Sequence, residues 1–168
     1  MANRLLIAGV AVALGLGAVA CRSEAPKEAT PAETASTESH EGHQAMKVYF
    51  KEPKDGATVS AKGLTKFVFA VDNYQISAVP ADAKEARPNM GHFHLGVDTD
   101  CLPAGTTIPK AEANAAPGTA GQWIHFGKGT DNIEMALTPG EHKFAVEVGD
   151  DLHRAVEGMC ETITIKAE

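Results

Sequence analysis

The chain has 168 residues, with 15 Lys and Arg against 22 Asp and Glu, a formal net charge of −7. Of these, 12 basic and 17 acidic residues fall within 46–168, so that region alone carries about −5. This balance argues against nucleic acid as a partner and against electrostatic docking on anionic lipid.

Residues 1–20 read as an export signal. Arg4 supplies the positive start, an uncharged apolar run extends from Leu5 to Val19, and Cys21 follows small residues. The run is short for a bilayer span and lacks a stop-transfer flank. Two processing routes compete. Ala18-Val19-Ala20 fits an A-x-A signal-peptidase site. The same residues with Cys21 resemble a bacterial lipobox, with Ala18 where that pattern usually has Leu. Cysteine arithmetic favours lipidation of Cys21, because it leaves Cys101 and Cys160 as an even pair in an oxidising compartment. A multiply acylated Cys21 would be a stable membrane anchor. By resemblance to bacterial lipoproteins, Arg22 after the Cys implies outer-membrane sorting.

Residues 21–45 read as the lipidated cysteine and a disordered linker rich in Ala, Glu, Thr, Ser and Pro, without aromatic residues or periodicity. His40-Glu-Gly-His43 lies in this tether. Its spacing is not that of a zinc-protease helix, and it reads as two solvated histidines or a mobile metal-capturing tail.

Residues 46–168 form the expected folded domain. Val48 and Phe50 share a strand face, and Pro53-Lys-Asp-Gly56 signals a turn. Residues 58–61 suit a short edge strand. Residues 64–71 alternate strongly through Phe67, Phe69 and Val71, Asp72-Asn73 suggests a turn, and 74–79 are extended. An irregular stretch, 80–88, leads to Met90-Gly-His-Phe-His-Leu-Gly-Val-Asp-Thr-Asp-Cys101. There Phe93, Leu95 and Val97 take one face, and His92 and His94 are left side by side on the other, outward face. Residues 98–122 read as a long loop with room for one helical turn at 111–116. After it, Trp123 and His125 oppose Ile124 and Phe126, and Ile133, Met135 and Leu137 alternate. Thr138-Pro-Gly140 turns the chain into a strand with His142, Phe144, Val146 and Val148 on one face. Gly149-Asp150-Asp151 turns again, and the last strand is expected at 161–166.

Short alternating strands with turn signals every roughly 8–12 residues predict an all-β, immunoglobulin-like antiparallel β-sandwich. Cys101 follows one strand and Cys160 precedes the last, a placement a sandwich can bring together as a disulfide. Closing that loop of about 60 residues would stabilise by up to about 4 kcal/mol on a chain-entropy account.

Pro53-Lys-Asp-Gly-Ala-Thr-Val59, Gly91-His-Phe-His-Leu95, His125-Phe-Gly-Lys-Gly129, Leu137-Thr-Pro-Gly-Glu-His142 and Ile163-Thr-Ile165 together resemble the bacterial domain-of-unknown-function family 4399. The resemblance covers nearly all of residues 47–166. It implies an exported or lipid-anchored, immunoglobulin-like protein and supplies no activity. Many members have three consecutive histidines after the glycine. Here Phe93 replaces the middle one, as expected if that position faces the core.

The chemistry readable from the residues is metal binding. His92 and His94 are two apart on a strand, roughly 6–7 Å along it, a spacing that permits two ligands to one ion. His125 completes a three-imidazole set, with Met90 and His153 as further candidates. Imidazoles suit copper or zinc, and an added thioether suits copper. The competing reading is structural: imidazole both donates and accepts, and can tie a loop to strand backbone. His142 belongs outside any site, because Leu-x-Pro-Gly-x-His stands where sandwich domains place a corner Tyr. Trp123 reads as a partly buried anchor.

No nucleophile elbow, Cys-x-x-Cys or phosphate loop is present, and no catalytic residue is assigned. A fainter similarity, to copper-zinc superoxide dismutases, rests on the sandwich, the His-x-His strand and the disulfide. The spacing of the glycine before the pair and the missing His-rich zinc loop depart from that family. The expectation is therefore a periplasmic, lipid-anchored binding protein with a candidate copper or zinc site. The alternative is a metal-free envelope module whose histidines order its loops.

Overall fold

Among the described residues the chain forms nine strands, the longer of them alternating apolar and polar side chains: β1 (Lys47–Glu52), β2 (Thr58–Val59), β3 (Leu64–Asp72), β4 (Gln75–Ile76), β5 (Met90–Val97), β6 (Trp123–His125), β7 (Asn132–Ala136), β8 (Gly140–Gly149) and β9 (Ala155–Ala167). The structure, a computed structural model, describes residues 44–110, 118–119 and 121–168, which belong to one compact unit and contain no helix. The signal segment, Cys21, the His40 and His43 pair and the helical turn expected at 111–116 lie outside the described residues.

The strands form two sheets, ordered β1-β3-β7 and β2-β9-β8-β5-β4, with β6 also pairing with β5. In chain order this is the A-B-E and G-F-C arrangement of an immunoglobulin-like sandwich. Most pairings are antiparallel, as expected. The exceptions are β2 with β9 and β4 with β5, both parallel and only two residues long.

The core lies between the sheets and contains all six phenylalanines of the chain, at positions 50, 67, 69, 93, 126 and 144. Phe69 is its hub, with ring centroids 5.7 Å from Phe50, 5.4 Å from Phe93 and 5.3 Å from Phe126. Phe67 meets Phe144 across the sandwich at 4.6 Å. Such tilted and edge-on pairs add to the stabilisation from area burial alone. Phe93, Leu95 and Val97 all face this core, as strand pleating requires.

The outer face of the second sheet differs from expectation. Around β5, β6 and the adjoining part of β8 it is covered rather than open. The chain after β5 folds back so that Ile108 packs with Trp123, Ala145 and Ala155, and Leu102 and Cys160 lie against them. Thr107 bridges Arg154, and the Ile108 amide donates to the His153 carbonyl at 2.8 Å. β5 is consequently buried on both faces from Gly91 to Val97, and Trp123 is fully buried rather than partly so.

The Cys101–Cys160 disulfide is present, with Cα atoms 6.0 Å apart. One boundary moves, however. The last strand begins at Ala155, so Cys160 sits within it, opposite Glu147, rather than before it. Residues 156–159 depart from regular pairing, between the Gly149–Ala155 and Glu147–Cys160 partners, with Gly158 at φ 71°. That irregularity breaks the period-two pattern, which hid the strand's start in the sequence.

His142 behaves as the corner residue. It opens the buried part of β8, and its Nε2 lies 2.8 Å from the Thr138 carbonyl oxygen while Nδ1 lies 3.1 Å from Asp98. It thus ties the β7–β8 corner to the end of β5, away from the other histidines.

Candidate metal centre

Four histidines converge on the covered face of the second sheet. β5 supplies His92 and His94, the last residue of β6 supplies His125, and the turn between β8 and β9 supplies His153. Cross-strand register places His125 directly opposite His94. His153 reaches the group because the turn closes tightly. Its amide donates to the Asp150 carbonyl, and its own φ is 61°, a left-handed value.

One ring nitrogen from each of the four lies within 4.8 Å of each of the others. Four atoms so placed sit within about 3 Å of a common point, against a metal–nitrogen bond of about 2 Å. The six ring-centroid separations run from 4.5 Å, for His92 with His94, to 5.9 Å, for His94 with His153. The β5 pair leans together, closer than the strand repeat alone would place it. His125 Nε2 and His153 Nε2 are 3.1 Å apart, one donating to the other.

Two glycines make room for these rings. A Cβ on Gly149 would fall 2.6 Å from His94 Cε1, and one on Gly127 would fall 2.3 Å from His125 Cε1. Neither position can carry a side chain without displacing an imidazole.

His92 and His94 are 0% and 1% exposed, so they are not the outward-facing pair the pleat suggested. Both nitrogens of His92 and Nδ1 of His94 are buried without a hydrogen-bond partner. Leaving such groups unsatisfied costs about 1–3 kcal/mol each. Burial, reinforced by the neighbouring histidines, pushes the imidazole of His92 down to about 4 and that of His94 to about 2. His125 is also lowered, by burial first, then by His153 and Lys110. All three are therefore neutral at pH 7 and have lone pairs to offer, which is the state a metal ligand needs.

Of the residues singled out in the sequence, the structure brings together His92, His94, His125 and His153. Met90 opens β5 opposite Gln75, and the converging set of nitrogens is complete without it. The structure adds carboxylates that the sequence reading passed over. Glu147 is 1% exposed and stands directly across from His94 on β8. Its Oε2 accepts the Leu102 amide at 3.2 Å, and burial pushes its carboxyl up to about 7. Asp151, 3% exposed, accepts from Arg87 Nε and Nη2, both at 2.8 Å, and from the Arg87 amide at 3.0 Å. Arg87 Nη2 also donates to Ser77 Oγ and the Ala78 carbonyl. This one side chain joins the turn that holds His153 to the segment just after β4.

The cluster borders a cleft on the side of His125 and His153. That cleft, of about 620 Å³, is lined by Val79, Pro80, Ala81, Phe126 and the Gly127–Lys128 loop, and reaches His125, His153 and Lys110. His92 and His94 form the sealed floor behind it.

The fold and the site together define an all-β, immunoglobulin-like domain with a four-histidine cluster that could hold a metal ion. The chain belongs to the family described as Domain of unknown function (DUF4399), whose profile matches residues 67–168. Among solved structures it is similar to the fibronectin(III)-like modules of Clostridium thermocellum CbhA, at 14% identity and a TM-score of 0.41, over 72% of this chain and 96% of that one. No curated protein matches the sequence.

Proposed function

We propose that this is a metal-binding protein of the bacterial cell envelope, tethered through a lipid on Cys21, whose four histidines bind a single copper or zinc ion. The observation that carries the reading is the pair of sealed imidazoles with unpartnered nitrogens, inside a group of four that nearly meets at one point. A divalent ion would satisfy one nitrogen of each ring, and His125 and His153 would exchange their mutual hydrogen bond for a bond to it. An all-imidazole set, lacking thiolate, suits Cu(II) and Zn(II), with Cu(II) the tighter by the ordinary affinity order. When bound, the ion supplies a Lewis-acidic centre. The protein's own residues fix the ligands and exclude water from the floor of the site.

The test is titration of the purified protein with Cu(II) and Zn(II), read by calorimetry and elemental analysis. The expected result is one ion per chain. A His92→Ala, His94→Ala variant should lose affinity by more than the roughly 10–100-fold that an outer-shell partner is worth. A His40→Ala, His43→Ala variant controls for the tether and should keep the affinity. Equal binding by wild type and the His92→Ala, His94→Ala variant refutes the site.

A metal-free role draws on one observation, the 3.1 Å His125–His153 hydrogen bond, which would order the rim of the cleft without an ion. The same titration separates the two readings.

A further inference from the structure

We propose that the cleft over the histidine cluster binds a small organic carboxylate, whose charged head completes the coordination of the metal and pairs with Lys110 and Lys128. The inference rests on the metal reading above and names what would occupy the open side of that centre.

Charge is the first ground. Four neutral imidazoles leave the two positive charges of a divalent ion uncompensated. The carboxylates near the site are already committed. Asp151 is held by Arg87 and Asp150 by Arg154. Glu147 accepts the Leu102 amide. None of the three lines the cleft, whose charged side chains are both lysines, so the cleft is where a compensating anion from solution would lodge.

Lining is the second ground. Lys110 and Lys128 border the cleft, and among the described residues neither forms an ion pair. Lys110 lines the same cleft as His125 and His153. Val79, Pro80 and Ala81 also line it, and would cover an apolar body rather than a second charged group. The Val79 amide donates to the Gly127 carbonyl at 3.0 Å, and Arg87 ties the neighbouring Ala78 to Asp151 in the turn that carries His153. A cationic rim, an apolar wall and an electrophilic floor together select an organic anion over either a neutral solute or a cation.

The experiment uses the Cu(II)-loaded protein. Acetate, butyrate and benzoate are titrated in, with acetamide as the neutral control, while the visible absorption band and electron paramagnetic resonance spectrum are followed. The carboxylates should perturb both signals saturably, with affinity rising from acetate to benzoate, and acetamide should not. A Lys110→Ala, Lys128→Ala variant should still load one copper ion per chain, no more weakly than the wild type, and bind the carboxylates about tenfold more weakly. Absence of a saturable spectral change in copper-loaded protein overturns the inference and leaves the metal site standing. So does undiminished carboxylate affinity in the double lysine variant. Failure to load copper at all, seen independently by calorimetry, overturns both.

Discussion

Replacing Glu147 with Gln should stabilise the metal-free protein, and by an amount that depends on pH. Glu147 is almost wholly buried near the end of β8, and its Oε2 accepts a 3.2 Å hydrogen bond from the Leu102 amide. Burial raises its carboxyl from 4.5 to about 7. Between those values the folded protein holds a proton that the unfolded chain has released, so stability falls as pH rises from about 4.5 to about 7. Above that window the full cost of the ionised, buried carboxylate is present. At about 1.4 kcal/mol for each pKa unit, that cost is about 3 kcal/mol. Gln keeps the shape and the acceptor for Leu102 but cannot ionise. Urea denaturation of wild type and Glu147→Gln, in chelator, at pH values from 4.5 to 8.5, should give curves that coincide at the acid end and diverge to about 3 kcal/mol in favour of the variant at the alkaline end. A difference that stays constant across the series refutes the reasoning, because a constant offset reports packing rather than ionisation.

Three further outcomes follow from the same geometry. Gly149→Ala should push His94 from its place and weaken Cu(II) or Zn(II) binding, measured by competition with a chromophoric chelator, while Gly63→Ala, whose added carbon would meet nothing within 4 Å, serves as a metal-neutral control. Arg87→Ala should lower stability in denaturant unfolding, because it strands the buried Asp151 carboxylate, and the Arg87→Met, Asp151→Leu pair should recover part of that loss. Reducing the Cys101–Cys160 bond, which spans 59 residues, should cost about 2–4 kcal/mol and lower the melting temperature measured by circular dichroism.

Period-two alternation was enough to place the strands of the sandwich and the inward face of β5. It named Phe67, Phe69, Phe93 and Phe144 as core-facing because each sits among apolar residues two apart. It also put His92 and His94 on a common face, and Trp123 and His125 on another. What it could not convey was that those two faces are one. The loop after β5 has no periodicity, and only its folding back, with Ile108 under Trp123, turns an outward face into a sealed one. Met90 is a further candidate ligand only for its thioether, and the imidazole set closes without it. His153 lies in a turn, where alternation says nothing, and its part depends on a left-handed backbone. Glu147 did leave a trace in the sequence, as a lone carboxylate in Phe144-Ala-Val-Glu-Val148. A charge that interrupts an apolar run deserves the same suspicion as a histidine. Arg87 left none, since its partner is 64 positions away.

The four imidazoles are held with unequal stiffness. Two project from a strand hemmed in on both faces, and two from a strand end and a hairpin bend at the margin. Any inward movement needed to grip an ion must therefore be made by the marginal pair. Preference between a tetrahedral and a flattened coordination would be decided there, by residues that lie outside the core between the two sheets. Selectivity for one ion over another could then drift, or be engineered, through the bend and the strand end alone, with the hydrophobic centre left as it is.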